Sequence, residues 1–147
     1  MTTDNKITPH YIKNIEFITL QGTGATVQAG FPSPAADYIE NDIDLAAHLV
    51  SKPLSTYLVR VVGNSMIDAH IPPDALLVVD KSLTPKNNQI IVACIDGEFT
   101  VKRFITNSSG VRLMPANKAF PPIPITEFME FIVWGTVTRI IIDANTI

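Results

Sequence analysis

Two segments carry side chains able to act on one another. Val61-Val62-Gly63-Asn64-Ser65-Met66 offers a hydroxyl, and Glu98-Phe99-Thr100-Val101-Lys102-Arg103-Phe104 offers an amine. A serine hydroxyl is a weak nucleophile until a neighbouring base takes its proton. Lysine can be that base only when neutral; its ordinary pKa is about 10.4, and burial disfavours the charged form. Lys102 sits between Val101 and Phe104, a strand setting that suits desolvation. Gly63 and Asn64 suit a tight turn presenting Ser65 at a strand end. Backbone N–H groups of Ser65 and Met66 would then face a developing oxyanion, where one donor is worth roughly 3–4 kcal/mol. Upstream, Val27-Gln28-Ala29-Gly30 supplies a small-small junction, a peptide bond such a pair can cut. Taken singly, a serine in a Gly-Asn-Ser turn is more often only a turn residue, and a lysine beside an arginine is more often solvated. A separation of 37 positions is no signature by itself.

The elements that must position these residues fall into two regions. Residues 1 to about 33 read as a mobile N-terminal arm. Ile15–Leu20 forms at most one short strand, Gln21–Thr26 is rich in Gly and Thr, and Phe31-Pro32-Ser33-Pro34 enforces extended backbone. A short helix follows around Ile43–Val50, capped by Asp42 or Asp44 and stopped by Pro53. Strands are expected over Thr56–Val62, Ala75–Asp80, Ile90–Ile95, Glu98–Ile105 and Val111–Met114. Phe128–Asp143 is β-rich and broken by Gly135. Asp96-Gly97 is a strong hairpin signal, because a type I′ turn needs positive φ at both central residues. Helical spacing is absent here. The fold class is mainly β: a small, strongly curved antiparallel sheet or partly closed barrel, with a short helix and the arm.

Composition narrows the function. Of 147 residues, 46% are apolar and 17% charged, with net charge −3. That suits one domain with a real core plus an extension. No basic cluster exceeds Lys102-Arg103, so strong direct binding to DNA phosphates is not expected. The single cysteine, Cys94, allows no internal disulfide and reads as a buried small hydrophobe in a reducing, cytoplasmic setting. His10, His48 and His70 are scattered without metal-ligand spacing, so neither metal nor cofactor is expected. No signal peptide and no apolar run of about 18 residues is found, so no membrane association is expected.

Several separated stretches match a known pattern: Ala29-Gly30-Phe31-Pro32-Ser33-Pro34-Ala35-Ala36-Asp37-Tyr38, Gly63-Asn64-Ser65-Met66-Ile67-Asp68, Leu76-Leu77-Val78-Val79-Asp80 and Asp96-Gly97-Glu98-Phe99-Thr100-Val101-Lys102-Arg103. From about residue 29 to the C-terminus the chain resembles the LexA-like family of self-cleaving Ser/Lys proteins, S24. The resemblance implies Ser65 as nucleophile, Lys102 as general base and Ala29-Gly30 as the bond cut. It implies an arm, 1–29, that is removed, and a β-rich peptidase-like domain, 30–147. Ala fits a shallow pocket, Gly tolerates the bent backbone needed to enter a cleft, and Val27 would anchor the arm. Tethering supplies rate through effective molarity. For the polymerase-accessory branch of the family it further implies a homodimer, with cleavage stimulated after DNA damage by the RecA filament on single-stranded DNA. The shortened form would join a UmuC-type Y-family polymerase in error-prone translesion synthesis. The chain departs from the family around Asp68–Ala75, where glycines are usual and Ala69, His70, Asp74 and Ala75 stand; His70 reads as a surface loop residue.

Competing readings are a LexA-like repressor, a signal peptidase, and an interaction module with a vestigial site. About 29 residues precede the cut and show no helix-turn-helix pattern, and no membrane anchor is evident.

Overall fold

From Pro53 onward, short apolar runs alternate with turn residues, and these runs fold as antiparallel strands. The structure, a computed structural model, describes residues 6–11, 19–20 and 43–146. In chain order the elements are β1 (Lys6–Tyr11), β2 (Thr19–Leu20), β3 (Ile43–Asp44), α1 (Leu45–Leu49), β4 (Thr56–Val62), β5 (Leu76–Asp80), β6 (Ile90–Ile95), β7 (Glu98–Asn107), β8 (Gly110–Met114), β9 (Ile123–Pro124) and β10 (Phe131–Ile141). They belong to two compact units.

The smaller unit holds β2, β3 and α1. Thr19 pairs with Asp44 and Leu20 with Ile43. The Asp44 carboxylate caps α1 by accepting from Ala47 N at 3.0 Å. The helix ends at Leu49, ahead of Pro53, which instead opens a 3-10 turn, Pro53–Ser55.

The larger unit is one eight-stranded antiparallel sheet in the order β1-β4-β5-β10-β6-β7-β8-β9. The outer strands are β1 and β9, and no pairing among the described residues joins them, so partial barrel closure is not established by the pairing. β1 is the main departure from expectation. Its six residues fall in the stretch read as an arm, yet they pair along β4 from Lys6↔Val62 to Tyr11↔Tyr57. Pro9, which has no N–H to donate, is tolerated because this strand is an edge. Of the rest of the expected arm, Thr19–Leu20 forms β2, whereas Ile15–Ile18 and the Ala29-Gly30 junction lie outside the described residues.

Turn chemistry fixes the register next to the candidate base. Asp96 and Gly97 both take positive φ, 49° and 84°, as the two-residue turn between β6 and β7 requires. In the resulting hairpin, Ile91 faces Lys102 and Ala93 faces Thr100.

Gly135 does not break the last strand; β10 runs through it. A Cβ at Gly135 would lie 2.5 Å from Val79 Cγ1 and 3.4 Å from the Asp80 carbonyl oxygen. Glycine is therefore present for a close approach to β5, and the β10–β6 register shifts there between Val133 and Gly135.

The core forms two apolar groups. One gathers Val59, Val61, Leu77, Val79, Val92 and Val101 with Met66 and Ile71 from the loop after β4. The other is built on Ile91, Ala93 and Leu113. Trp134 packs against the first, 5.0 Å from the Tyr57 ring and edge-on to Phe99 at 5.9 Å.

At the end of β5, Asp80 is 3% exposed. Its Oδ1 accepts from Ser82 N at 2.8 Å, Ser82 Oγ at 2.7 Å and Ser55 Oγ at 2.9 Å. Burial alone would raise this carboxyl; the Ser82 and Ser55 hydrogen bonds and the charge of Lys52 outweigh it and hold the group below its ordinary value. The ionised form thus stabilises the fold above the unfolded-state pKa of about 3.9. That contribution is lost as pH falls through the folded value.

Two outcomes follow. Gly135→Ala must displace the stiff, β-branched Val79, and should lower unfolding free energy by about 1–3 kcal/mol in urea titration with unchanged m. Asp80→Asn should cost about 1–3 kcal/mol at neutral pH, with the gap from the parent protein narrowing below pH ~4.

Candidate active site

Ser65 lies just beyond β4, where the chain must leave the sheet abruptly. Gly63 makes the break at φ 90°, a conformation disfavoured for any side chain. Asn64 and Ser65 follow, and Ile67–Ala69 form a single 3-10 turn. Two fully buried residues, Met66 and Ile71, pin this loop into the core. Ala69 N and Ile71 N both donate to Met66 O, at 3.0 and 3.3 Å. At the loop's base, Val61 N donates to Ala75 O and Asp74 N to Val61 O, both at 2.9 Å.

Two of the four departures named above take a left-handed backbone: His70 has φ 63° and Asp74 φ 70°. His and Asp are among the residues that tolerate this region best, so the chain takes the glycine conformation without glycine. His70 is exposed, as a loop residue should be.

Lys102 lies mid-strand in β7. Residues 100, 101 and 102 are all buried, so the strand is covered on both faces here. Alternation puts Val101 with Val92 on one face, and Thr100 and Lys102 with Ala93 and Ile91 on the other. Lys102 is 1% exposed and Ser65 is fully buried. Lys102 Nζ lies 3.0 Å from Ser65 Oγ, 2.7 Å from Thr100 Oγ1 and 3.2 Å from Val101 O. The structure thus brings together the two side chains that sequence reading paired across 37 positions.

Thr100 was not singled out by the sequence reading. The signal was available, because a residue two positions away in a strand shares the face. A second omission is the segment after β8, whose link to the serine loop is purely tertiary. Ala116 N donates to Ser65 O at 2.8 Å, and Asp68 N donates to Ala116 O at 2.8 Å. The Asn117 amide donates to Asn64 O at 2.9 Å. A cleft of about 300 Å³ opens alongside, lined by Asp68, Ala116, Asn117, Lys118 and Phe120 among others.

Among the described residues, no group of three or more His, Cys, Asp or Glu side chains gathers that could hold a metal ion. Cys94 is partly exposed on β6 rather than buried. No helix among the described residues is long and apolar enough to cross a membrane.

Comparison with known proteins identifies the family. The family model described as peptidase S24-like matches residues 20–138. Protein MucA of Escherichia coli is 44% identical over 118 residues, covering 80% of this chain and 80% of that protein. Protein SamA of Salmonella typhimurium is 42% identical over 113 residues, 77% of this chain and 78% of that protein. The LexA repressor of Caldicellulosiruptor saccharolyticus is 43% identical over 101 residues, which is 69% of this chain but 50% of the repressor. With a match over most of its length and relatives of this identity, the chain belongs to the peptidase S24-like family.

Proposed function

We propose that this chain is a UmuD-like, self-cleaving Ser/Lys peptidase of the SOS response, cut at Ala29-Gly30 to release the 30–147 domain from the 1–29 arm. The observation that carries this is the 3.0 Å contact between Lys102 Nζ and Ser65 Oγ in a buried setting.

The chemistry depends on which proton carrier is neutral. Desolvation disfavours an ammonium, so burial holds the Lys102 amine toward its neutral form. A neutral amine has two N–H donors and one lone pair. Thr100 Oγ1 and Val101 O stand as acceptors for the two donors, which turns the lone pair to the Ser65 hydroxyl. Lys102 takes that proton as Oγ attacks the Ala29 carbonyl carbon. The resulting oxyanion is held by the N–H groups of Ser65 and Met66. The ammonium then protonates the departing Gly30 nitrogen, and the C–N bond breaks. Residue 29 is left as an ester on Ser65. Water, deprotonated by the same amine, attacks the ester, frees the Ala29 carboxylate and returns the proton to Ser65. No cofactor or metal enters the cycle.

On this reading the protein is a cytoplasmic homodimer whose cleavage is stimulated by the RecA filament on single-stranded DNA. The 30–147 form then serves a UmuC-type Y-family polymerase as its accessory subunit in error-prone translesion synthesis, with no membrane role. MucA and SamA support a relative of this size, since each aligns over about four-fifths of its own length. The alternative, a LexA-like repressor, has in its favour the 43% identity to that repressor. A gel shift with double-stranded DNA separates the two, because this surface of net charge −3 should give no stable complex.

At mildly alkaline pH the purified chain should slowly convert to the 30–147 fragment, read by mass spectrometry. The rate should rise with pH until the Lys102 amine is fully neutral. Ser65→Ala and Lys102→Ala should each lose at least about 1,000-fold in rate; either variant cutting normally at the same bond rules the assignment out. Thr100→Val removes an acceptor that favours the charged amine more than the neutral one. Its pH–rate midpoint should therefore move to lower pH, while the plateau falls about tenfold as the amine loses its orientation.

A further inference from the structure

Asn117 stands at a junction that the peptidase chemistry does not use directly. Its carboxamide bridges two backbone groups: the Nδ2 amide donates to Asn64 O at 2.9 Å, and Oδ1 accepts from Ala119 N at 2.9 Å. The second bond fixes which way round the carboxamide sits, so the first is a donation. Asn64 O also receives Ile67 N at 3.3 Å, filling both lone pairs of that carbonyl. One residue earlier, Ala116 N donates to Ser65 O at 2.8 Å.

A trans peptide is planar, with its C=O and N–H directed oppositely. Anchoring Asn64 O therefore sets the direction of Ser65 N–H, which shares its plane. Anchoring Ser65 O likewise sets Met66 N–H. The two carbonyls held by residues 116 and 117 belong to the two peptide planes whose N–H groups receive the oxyanion on the proposed mechanism. Both anchors come from the chain leaving β8, whose Met114 pairs with Arg103, next to Lys102 on β7. The oxyanion donors are thus tied to the strand carrying the base.

We propose that Asn117 is a positioning residue for cleavage: its side chain holds the Asn64–Ser65 peptide plane so that Ser65 N–H is aimed at the developing oxyanion. This rests on the Ser65/Lys102 peptidase reading. Asn64 is exposed, so water replaces the lost donor at its carbonyl and removing the Asn117 amide costs little stability. What is lost is a fixed direction, and its signature is kinetic. Asp at this position keeps the acceptor for Ala119 N and loses the donor for Asn64 O, which separates the turn from the positioning.

The test is self-cutting of the full chain across a pH series, with rates normalised to the folded fraction from near-UV circular dichroism. The parent chain, Ser65→Ala, Asn117→Ala and Asn117→Asp are compared. Asn117→Ala and Asn117→Asp should both show a plateau rate about tenfold below the parent, and the pH midpoint of Asn117→Ala should be unchanged because Lys102 still sets it. A parent-like plateau in Asn117→Ala overturns the proposal. So does recovery in Asn117→Asp, which would assign the effect to the Ala119 turn, and so does a shifted midpoint in the charge-neutral Asn117→Ala, which would assign it to the base. If the parent chain itself does not cut, or cuts equally well as Ser65→Ala, the peptidase reading has failed and this inference falls with it.

Discussion

A lysine amine with 1% exposure, 3.0 Å from a fully buried serine hydroxyl, is the constraint around which the rest of this fold is arranged. Burying an ammonium without compensation is costly. The site answers with oxygen atoms: Ser65 Oγ, Thr100 Oγ1 and Val101 O all stand within hydrogen-bond distance of Nζ. All three can accept from an ammonium; on the proposed mechanism Thr100 and Val101 accept the two N–H groups of a neutral amine while the Ser65 hydroxyl faces its lone pair. The same burial that makes the group expensive is what makes it a base near neutral pH on the proposed mechanism.

Holding that contact requires two parts of the chain, 37 residues apart, to be rigid against each other. β7 supplies one part: it is covered on both faces and registered to β6 by the Asp96-Gly97 turn. The serine loop supplies the other, sunk into the core by Met66 and Ile71 and released from β4 by the positive φ of Gly63. Ala116 and Asn117 then fasten the loop to the chain that continues from β8. A side chain on a loop becomes as well defined as one on a strand when its carbonyls are held from outside.

Much of this was legible in the sequence because it is local. The strands Thr56–Val62 and Ile90–Ile95 were read with the bounds they have, since apolar runs end at turn residues there. The hairpin at Asp96-Gly97 followed from φ requirements alone. What escaped depends on partners distant in sequence. β1 has Pro9 and polar neighbours, which suppress any strand signal; it forms because β4 offers it an edge. Gly135 looks like a strand breaker until Val79 is seen against it. Thr100 could have been found from strand alternation, whereas nothing in Pro115-Ala116-Asn117 announces a hold on Ser65. The Ser/Lys pair was named from residue type and resemblance; its proximity is a property of the sheet.

The central claim is that the Lys102 amine is neutral at working pH because of where it is buried. Nuclear magnetic resonance of protein labelled at the lysine ε-carbon reads this directly. The full-length chain with Ser65→Ala stays intact through the titration, and the Lys102 resonance is assigned by its loss in Lys102→Met. The account predicts that this one resonance titrates well below the ordinary lysine value of about 10.4. A Lys102 resonance that titrates with the surface lysines would contradict it.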